Sequence, residues 1–254
     1  MKRLLLLTAL ISSVLAAWAG DYDQAIALQV GYANPVYRLN QPVEQNDNKS
    51  TLVATQLRGA KIGLAYDASI WRGFGFMLGL NYTFAGYISG WPDFDYDLSG
   101  KKISDGMPKP YQERTKFQYH QLELFVDWQY KFEIARNTWL ILYTGPTIQV
   151  VAQYKQTHLL RDRVTQEILD DRTEIVDYLN YIDQDAHDLK RLNVTWGVGA
   201  GFQYDRYFIR GGYDFGLINP YKLSNFNQVG LADRNTRGRL DQWQIKLGVY
   251  LWQQ

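Results

Sequence analysis

Three histidines are the first residues of this 254-residue sequence that could carry chemistry: His120, His158 and His187. A hydrolase built on one of them needs a nucleophile and an orienting carboxylate that the fold brings to the same ring. Serine is scarce in the segments that read as regular structure, and none is spaced to meet His120. An enzyme would instead have to use paired carboxylates and water near that histidine. Asp93, Asp95 and Asp97 form a second candidate, a D-x-D-x-D run that resembles the start of a calcium loop. Such a loop needs Gly at its sixth position and Glu at its twelfth; Leu98 and Ser104 stand there. Alternation with Phe94 and Tyr96 reads better as a strand extension, with a divalent ion bridging the run to lipopolysaccharide phosphate as the alternative. The absence of cysteine excludes thiol chemistry and disulfides. We expect no catalytic, cofactor-binding or metal-binding set.

A third group is more coherent. Lys61, Glu123, Asp127, Arg210, Asp214 and Lys246 each fall near the middle of an alternating segment, on the side opposite its large apolar residues. The clearest segment sets Phe74, Phe76, Leu78, Leu80, Tyr82 and Phe84 against Gly75, Met77, Gly79, Asn81, Thr83 and Ala85. Similar runs begin near Ile26, Ala60, Leu122, Leu140, Val194, Ile209 and Trp243. Period-two alternation of this length is a strand signal. Three features favour a membrane barrel over a soluble sandwich. The apolar face carries large residues and ends in aromatics. Connections alternate between short turns (67–73, 133–138, 205–207) and long polar stretches (38–55, 89–114, 155–191, 219–238). An even number of strands closes the sheet without an edge, as lipid demands. The expected fold is all-β: a transmembrane antiparallel up-and-down barrel of eight strands, with long extracellular loops and short periplasmic turns. The six charges would then line its lumen as a paired network.

The N-terminus agrees with export. Lys2 and Arg3 precede an apolar run from Leu4 to Val14, and Ala17-Trp18-Ala19 presents small residues where a signal peptidase reads them. Residues 1–19 are therefore read as a signal peptide and 20–254 as a single barrel domain in the cell outer membrane. A net charge of +1 provides no field for nucleic acid. In the third loop Leu160, Val164, Ile168, Ile175, Leu179 and Ile182 recur at helix-like spacings. That segment is read as a helix or extended hairpin folding down over the barrel mouth, or else as a surface for a protein partner. Residues 155–191 hold six basic side chains against nine acidic, a balance of −3. The fourth loop sets Lys222, Arg234, Arg237 and Arg239 against Asp233, a balance of +3, so the two loops are expected to pair.

Several segments resemble the PorT-like outer-membrane barrels of Bacteroidota, a porin-family type. They are Gln121-Leu122-Glu123-Leu124, Trp128 to Phe132, Tyr143-Thr144-Gly145-Pro146, Trp196 to Phe202, and Tyr213 to Asn219. The resemblance spans most of the mature chain and rests on aromatic and glycine positions, not on reactive groups. It implies an outer-membrane location and leaves the activity open. The ending departs from the usual barrel pattern, because Gln253 and Gln254 follow Trp252.

The functional expectation is a non-enzymatic structural or interaction protein with a closed lumen, which displays loops and docks an envelope or secretion partner. Outer-membrane lipid and lipopolysaccharide would surround it. The alternatives are an enzyme acting on envelope lipid or peptide, and a narrow diffusion pore. The topology is testable: Asp97→Cys and Asp171→Cys should react with an impermeant thiol reagent in intact cells, and Asn137→Cys should not. The reverse pattern would invert the orientation.

Overall fold

The computed structural model describes residues 24–40, 53–95, 97–99, 101, 103–104, 106–177, 190–220 and 237–253. The expected signal peptide lies outside them, as do His187 and residues 178–189 and 221–236 of the charged loops expected to pair.

Ten antiparallel strands are present among the described residues: β1 (Gln24–Asn40), β2 (Val53–Gln56), β3 (Arg58–Trp71), β4 (Phe74–Ile88), β5 (Tyr111–Ala135), β6 (Thr138–Asp162), β7 (Ile168–Asp177), β8 (Leu192–Tyr204), β9 (Tyr207–Gly216) and β10 (Arg237–Gln253). Eight of them form the ring β1-β3-β4-β5-β6-β8-β9-β10, and β10 pairs with β1 to close it. That closing ladder runs from Ala25 opposite Gln253 to Asn40 opposite Arg237. Closure is what satisfies the backbone where no water is present.

The alternation seen in the sequence decides which side faces where. Leu64, Leu80, Leu124 and Leu247 are 56%, 53%, 45% and 55% exposed, although they are large and apolar. The residues between them, Lys61, Asn81, Glu123 and Lys246, are polar and buried. An apolar exterior around a polar interior is the reverse of a water-soluble barrel. At one end the strands are joined by two-residue turns at Arg72-Gly73, Arg136-Asn137 and Asp205-Arg206. Positive φ at Arg72 (43°), Gly73 (86°), Asn137 (59°) and Asp205 (49°) gives these hairpins their tight reversal. The long connections all leave from the other end. This arrangement, with both described termini at the short-turn end, is that of an outer-membrane β-barrel, and the chain lies in the cell outer membrane.

Two strands exceed the expected eight. β2 pairs only with the outer end of β1, and β7 pairs with β6 beyond the ring. β5 and β6 are 25 residues each, whereas about 9–11 residues cross a bilayer. The outer ends of this hairpin, residues 111–120 and 153–162, therefore stand outside the membrane and form a three-stranded sheet with β7. The helical alternative for residues 155–191 is thereby corrected over the described part, which is an extended hairpin. Its apolar residues do not share one buried face: Leu159 is 7% exposed, whereas Val164 at the hairpin tip is 87% exposed. Asp162 accepts the Val164 and Thr165 amides, and Gln166 has φ 61°, so the chain reverses where a helix would have continued. A second strand of backbone partners along β6 outcompetes helix propensity in so short a segment.

The sidedness predicts a mutational contrast. Leu124→Arg should cost about 2–4 kcal/mol in equilibrium unfolding from lipid vesicles, and Ile88→Arg near the outer rim much less. Gly79→Arg should also be damaging, from the inside, because a Cβ there would lie 2.5 Å from the Phe125 ring.

Candidate functional site

The residues with chemical potential converge on the lumen. An eight-stranded barrel leaves an interior just wide enough for side chains to fill it, and the six candidate charges all lie there. Lys61, Glu123, Asp127, Arg210, Asp214 and Lys246 are all at most 4% exposed. Lys61 Nζ, on β3, donates to Glu123 Oε2 on β5 at 2.5 Å and to Gln244 Oε1 on β10 at 2.6 Å. Glu123 also accepts from Thr83 at 2.9 Å and from Gln121 at 2.6 Å. Gln244 in turn donates to Asp214 at 2.8 Å. Arg210 on β9 donates to Asp127 on β5 at 3.0 Å, and its guanidinium lies 3.9 Å from the centre of the Tyr143 ring. Lys246 is not within ion-pair distance of any described carboxylate; its ammonium sits 4.5 Å from the centre of the Phe125 ring. Lys61–Glu123, Lys61–Gln244 and Arg210–Asp127 join strands that are not neighbours in the ring, so these bonds reach across the lumen.

Glycines make room for these crossings. A Cβ at Gly199 would stand 2.3 Å from the Tyr143 hydroxyl, and one at Gly212 would stand 2.5 Å from it. The tyrosine ring that supports Arg210 therefore fits only because β8 and β9 lack side chains at those two positions.

A further cluster was not singled out from the sequence. Asp67 accepts from Lys131 at 2.8 Å, from Gln129 at 2.5 Å and from the Tyr250 hydroxyl, close to the short-turn end. Its signal was available, since Asp67, Gln129, Lys131 and Tyr250 all fall on inward positions. With it, four cations (Lys61, Lys131, Arg210, Lys246) face four carboxylates (Asp67, Glu123, Asp127, Asp214) in the described bore. Equal numbers matter because each buried ion alone would cost several kcal/mol. Apolar side chains complete the filling: Leu57, Ala85, Tyr119, Val151 and Leu240 at the outer end, and Met77, Phe125, Phe208 and Tyr250 in the periplasmic half. Below Asp67 a vestibule of about 810 Å³ opens at the short-turn end, lined by Arg72, Lys131, Glu133 and Trp139 among others.

The other candidates separate. His120 faces outward, where the Tyr82 hydroxyl meets its Nδ1 and the Phe84 ring lies 4.9 Å away; it belongs to the aromatic belt. His158 Nδ1 is 2.9 Å from Glu113 and 3.5 Å from Thr115. A triad would put the carboxylate and the nucleophile on different ring nitrogens, and these two share one. The aspartates of the D-x-D-x-D run diverge. Asp93 pairs with Arg163 at 3.3 Å, Asp95 with Lys109, and Asp97 accepts the Ser99 and Lys101 amides at 2.9 Å. Those amides, with the Ser99 hydroxyl, hold the Asp97 carboxyl below its ordinary pKa. Strand character is limited to one bridge, between Asp93 and Gln112. Among the described residues no group of three potential ligands could hold a metal ion.

The external sheet has its own order. Trp91 lies between two guanidiniums, 4.0 Å from Arg161 and 4.4 Å from Arg114, and this pins residues 89–95 against β5 and β6. Arg161 also donates to Gln112 at 2.8 Å.

No protein-family model and no curated protein matches the chain. Among solved structures it is similar to Ail, the attachment invasion locus protein of Yersinia pestis, in complex with the heparin analogue sucrose octasulfate: 12% identity over 91% of this chain and 100% of that one, TM-score 0.36. It is also similar to Neisserial surface protein A, at 10% identity, 88% and 97% coverage and TM-score 0.35. The outer-membrane protease OmpT of Escherichia coli matches at 8% identity, 91% and 96% coverage and TM-score 0.32. Values this low carry no argument about activity. The barrel assignment rests on ring closure and on the sidedness of the wall.

The lumen makes a quantitative prediction. Removing one member of a buried pair strands the other, so Glu123→Ala should destabilise the barrel by about 3–5 kcal/mol. Asp171→Ala, on exposed β7, should change stability by less than about 0.5 kcal/mol. Equal losses in unfolding titrations would show that the lumen network contributes nothing specific.

Proposed function

We propose that this chain is a closed-lumen outer-membrane barrel of the structural or interaction class, which holds the β5–β6–β7 sheet outside the cell for a protein partner. The observation that supports the first half is the lumen, where Lys61–Glu123 and Arg210–Asp127 bridge strands that are not neighbours in the ring. The second half is supported by the external sheet, whose β5–β6 ladder continues to Tyr111–Asp162. Its tip keeps Val164 and Ile168 87% and 55% exposed in an aqueous setting. We extend the proposal to the PorT-like family, on the aromatic and glycine motifs already described, and to an envelope or secretion complex as the kind of assembly it would join.

The reading includes the absence of catalysis. An enzyme acting on envelope lipid or peptide would most reasonably use Glu113 and His158, the one histidine–carboxylate contact among the described residues. Turnover of purified lipid or peptide substrates that is lost in His158→Ala would replace the present proposal.

Planar-bilayer recording tests the closed lumen. The purified barrel should show no steady conductance, and deletion of residues 160–183 should not create one, because the seal is made by the wall's own side chains. Reproducible channel openings in either protein would establish a pore instead. Mild-detergent copurification should recover a partner with the intact chain and lose it with the same deletion.

A further inference from the structure

One carboxylate on the outer face of the barrel is buried where lipid-facing residues are otherwise apolar. Asp241 on β10 shares the outward parity of Trp243 and Ile245, yet it is 0% exposed. Its Oδ1 accepts the Gly216 amide at 3.1 Å. Its Oδ2 lies 2.7 Å from Arg239 Nη2 and 3.5 Å from Arg38 Nε. The two arginines are directly opposed across the closing ladder, Arg38 on β1 and Arg239 on β10. Like charges opposed on neighbouring strands repel, and a single carboxylate neutralises only one of them. Both guanidiniums remain accessible, with side chains 41% and 49% exposed. Each brings one nitrogen within 4 Å of Asp241 while its side chain keeps accessible surface. Arg38 Nε is itself buried and makes no hydrogen bond with a described residue.

The site has a definite depth. Trp243 packs on Tyr32 with ring centres 5.1 Å apart, and Tyr213 on Phe215 at 4.7 Å, on the same outward face nearer the membrane centre. Aromatic residues of this kind settle at headgroup level. The arginine pair is thus placed just beyond them, where the phosphates of outer-leaflet lipid lie. Guanidinium forks match the oxygens of a phosphate in shape and charge.

We propose that Arg38 and Arg239, held at fixed spacing over the buried Asp241, clamp a phosphate group of an outer-leaflet glycolipid. The clamp rests on the reading that the long-loop end faces outside. It supplies the second negative charge that the Arg–Asp–Arg cluster lacks, and it ties the β1–β10 seam, where the ring closes, to the surrounding leaflet. A lipid source is favoured over a soluble anion because Arg38 and Arg239 share the lipid-facing parity of Tyr32 and Trp243 on their strands.

The test uses the full barrel in detergent micelles with diphosphoryl lipid A as probe, read by titration and by native mass spectrometry. Wild type should bind it, and Arg38→Gln with Arg239→Gln should weaken binding by at least about tenfold. Arg206→Gln, which removes a positive charge at the opposite end, should leave binding unchanged. Fully dephosphorylated lipid A should bind wild type no better than the double variant binds the diphosphoryl form. Equal binding of the two lipids by wild type, or equal binding of diphosphoryl lipid A by both proteins, would overturn the clamp. Complete competition by millimolar inorganic phosphate would reassign the site to a soluble anion and overturn the lipid source. If the double variant fails to fold, Arg38→Lys and Arg239→Lys keep the charge and lose the fork, and wild-type affinity in both would equally reject the proposal. Thiol labelling of Asp171→Cys in intact cells is read in parallel. Surface labelling with unaltered lipid binding would fault the clamp alone, and absent labelling would fault the orientation on which it rests.

Discussion

A bilayer interior offers no water to a backbone amide, and the rest of this structure follows from that constraint. An open antiparallel sheet would leave two rows of unpaired donors and acceptors in hydrocarbon, each at a cost of several kcal/mol. Pairing β10 with β1 removes both rows at once. Closure with eight strands then fixes a narrow bore, and the narrow bore dictates what the inward residues must be. They must fill the space without leaving isolated charges.

The lumen meets that demand through differences in length. Arg210, Lys61 and Lys246 are long enough to cross the interior. Gly199 and Gly212 surrender their share of volume to Tyr143, and Gly79 surrenders its share to Phe125. Gln244 accepts from Lys61 and donates to Asp214, so Glu123 and Asp214 belong to one hydrogen-bonded chain through Lys61. Such pairs are poor sources of net stability, because ion desolvation offsets their attraction. Their consequence is specificity. A one-residue slip of any strand would turn these charges toward lipid, so the network penalises every slip that exchanges the two faces.

Beyond the membrane the same backbone is free of the lipid constraint, and the structure changes character. β5 and β6 continue far past the ring, β7 adds a third strand, and Trp91 fastens the preceding loop to them through two arginines. Contacts here are exposed ion pairs and cation–π stacks, each worth about 1 kcal/mol or less.

The eight strands of the ring, their inward and outward faces, and the ends carrying short and long connections were legible in the sequence because period-two alternation and turn residues are local signals. Lys61, Glu123, Asp127, Arg210, Asp214 and Lys246 could be assigned to the interior by parity alone. Their partners could not, since Lys61 and Glu123 are 62 positions apart and Lys61 and Gln244 are 183 apart, and only closure of the ring brings them together. The extended hairpin was ambiguous for a related reason: spacings of three, four and seven fit a helix equally well until β6 offers an edge to pair with. The Asp241 cluster had no sequence signature. Parity would place that carboxylate against lipid beside Arg239 of its own strand, and only the meeting of β1 with β10 supplies the second arginine, Arg38.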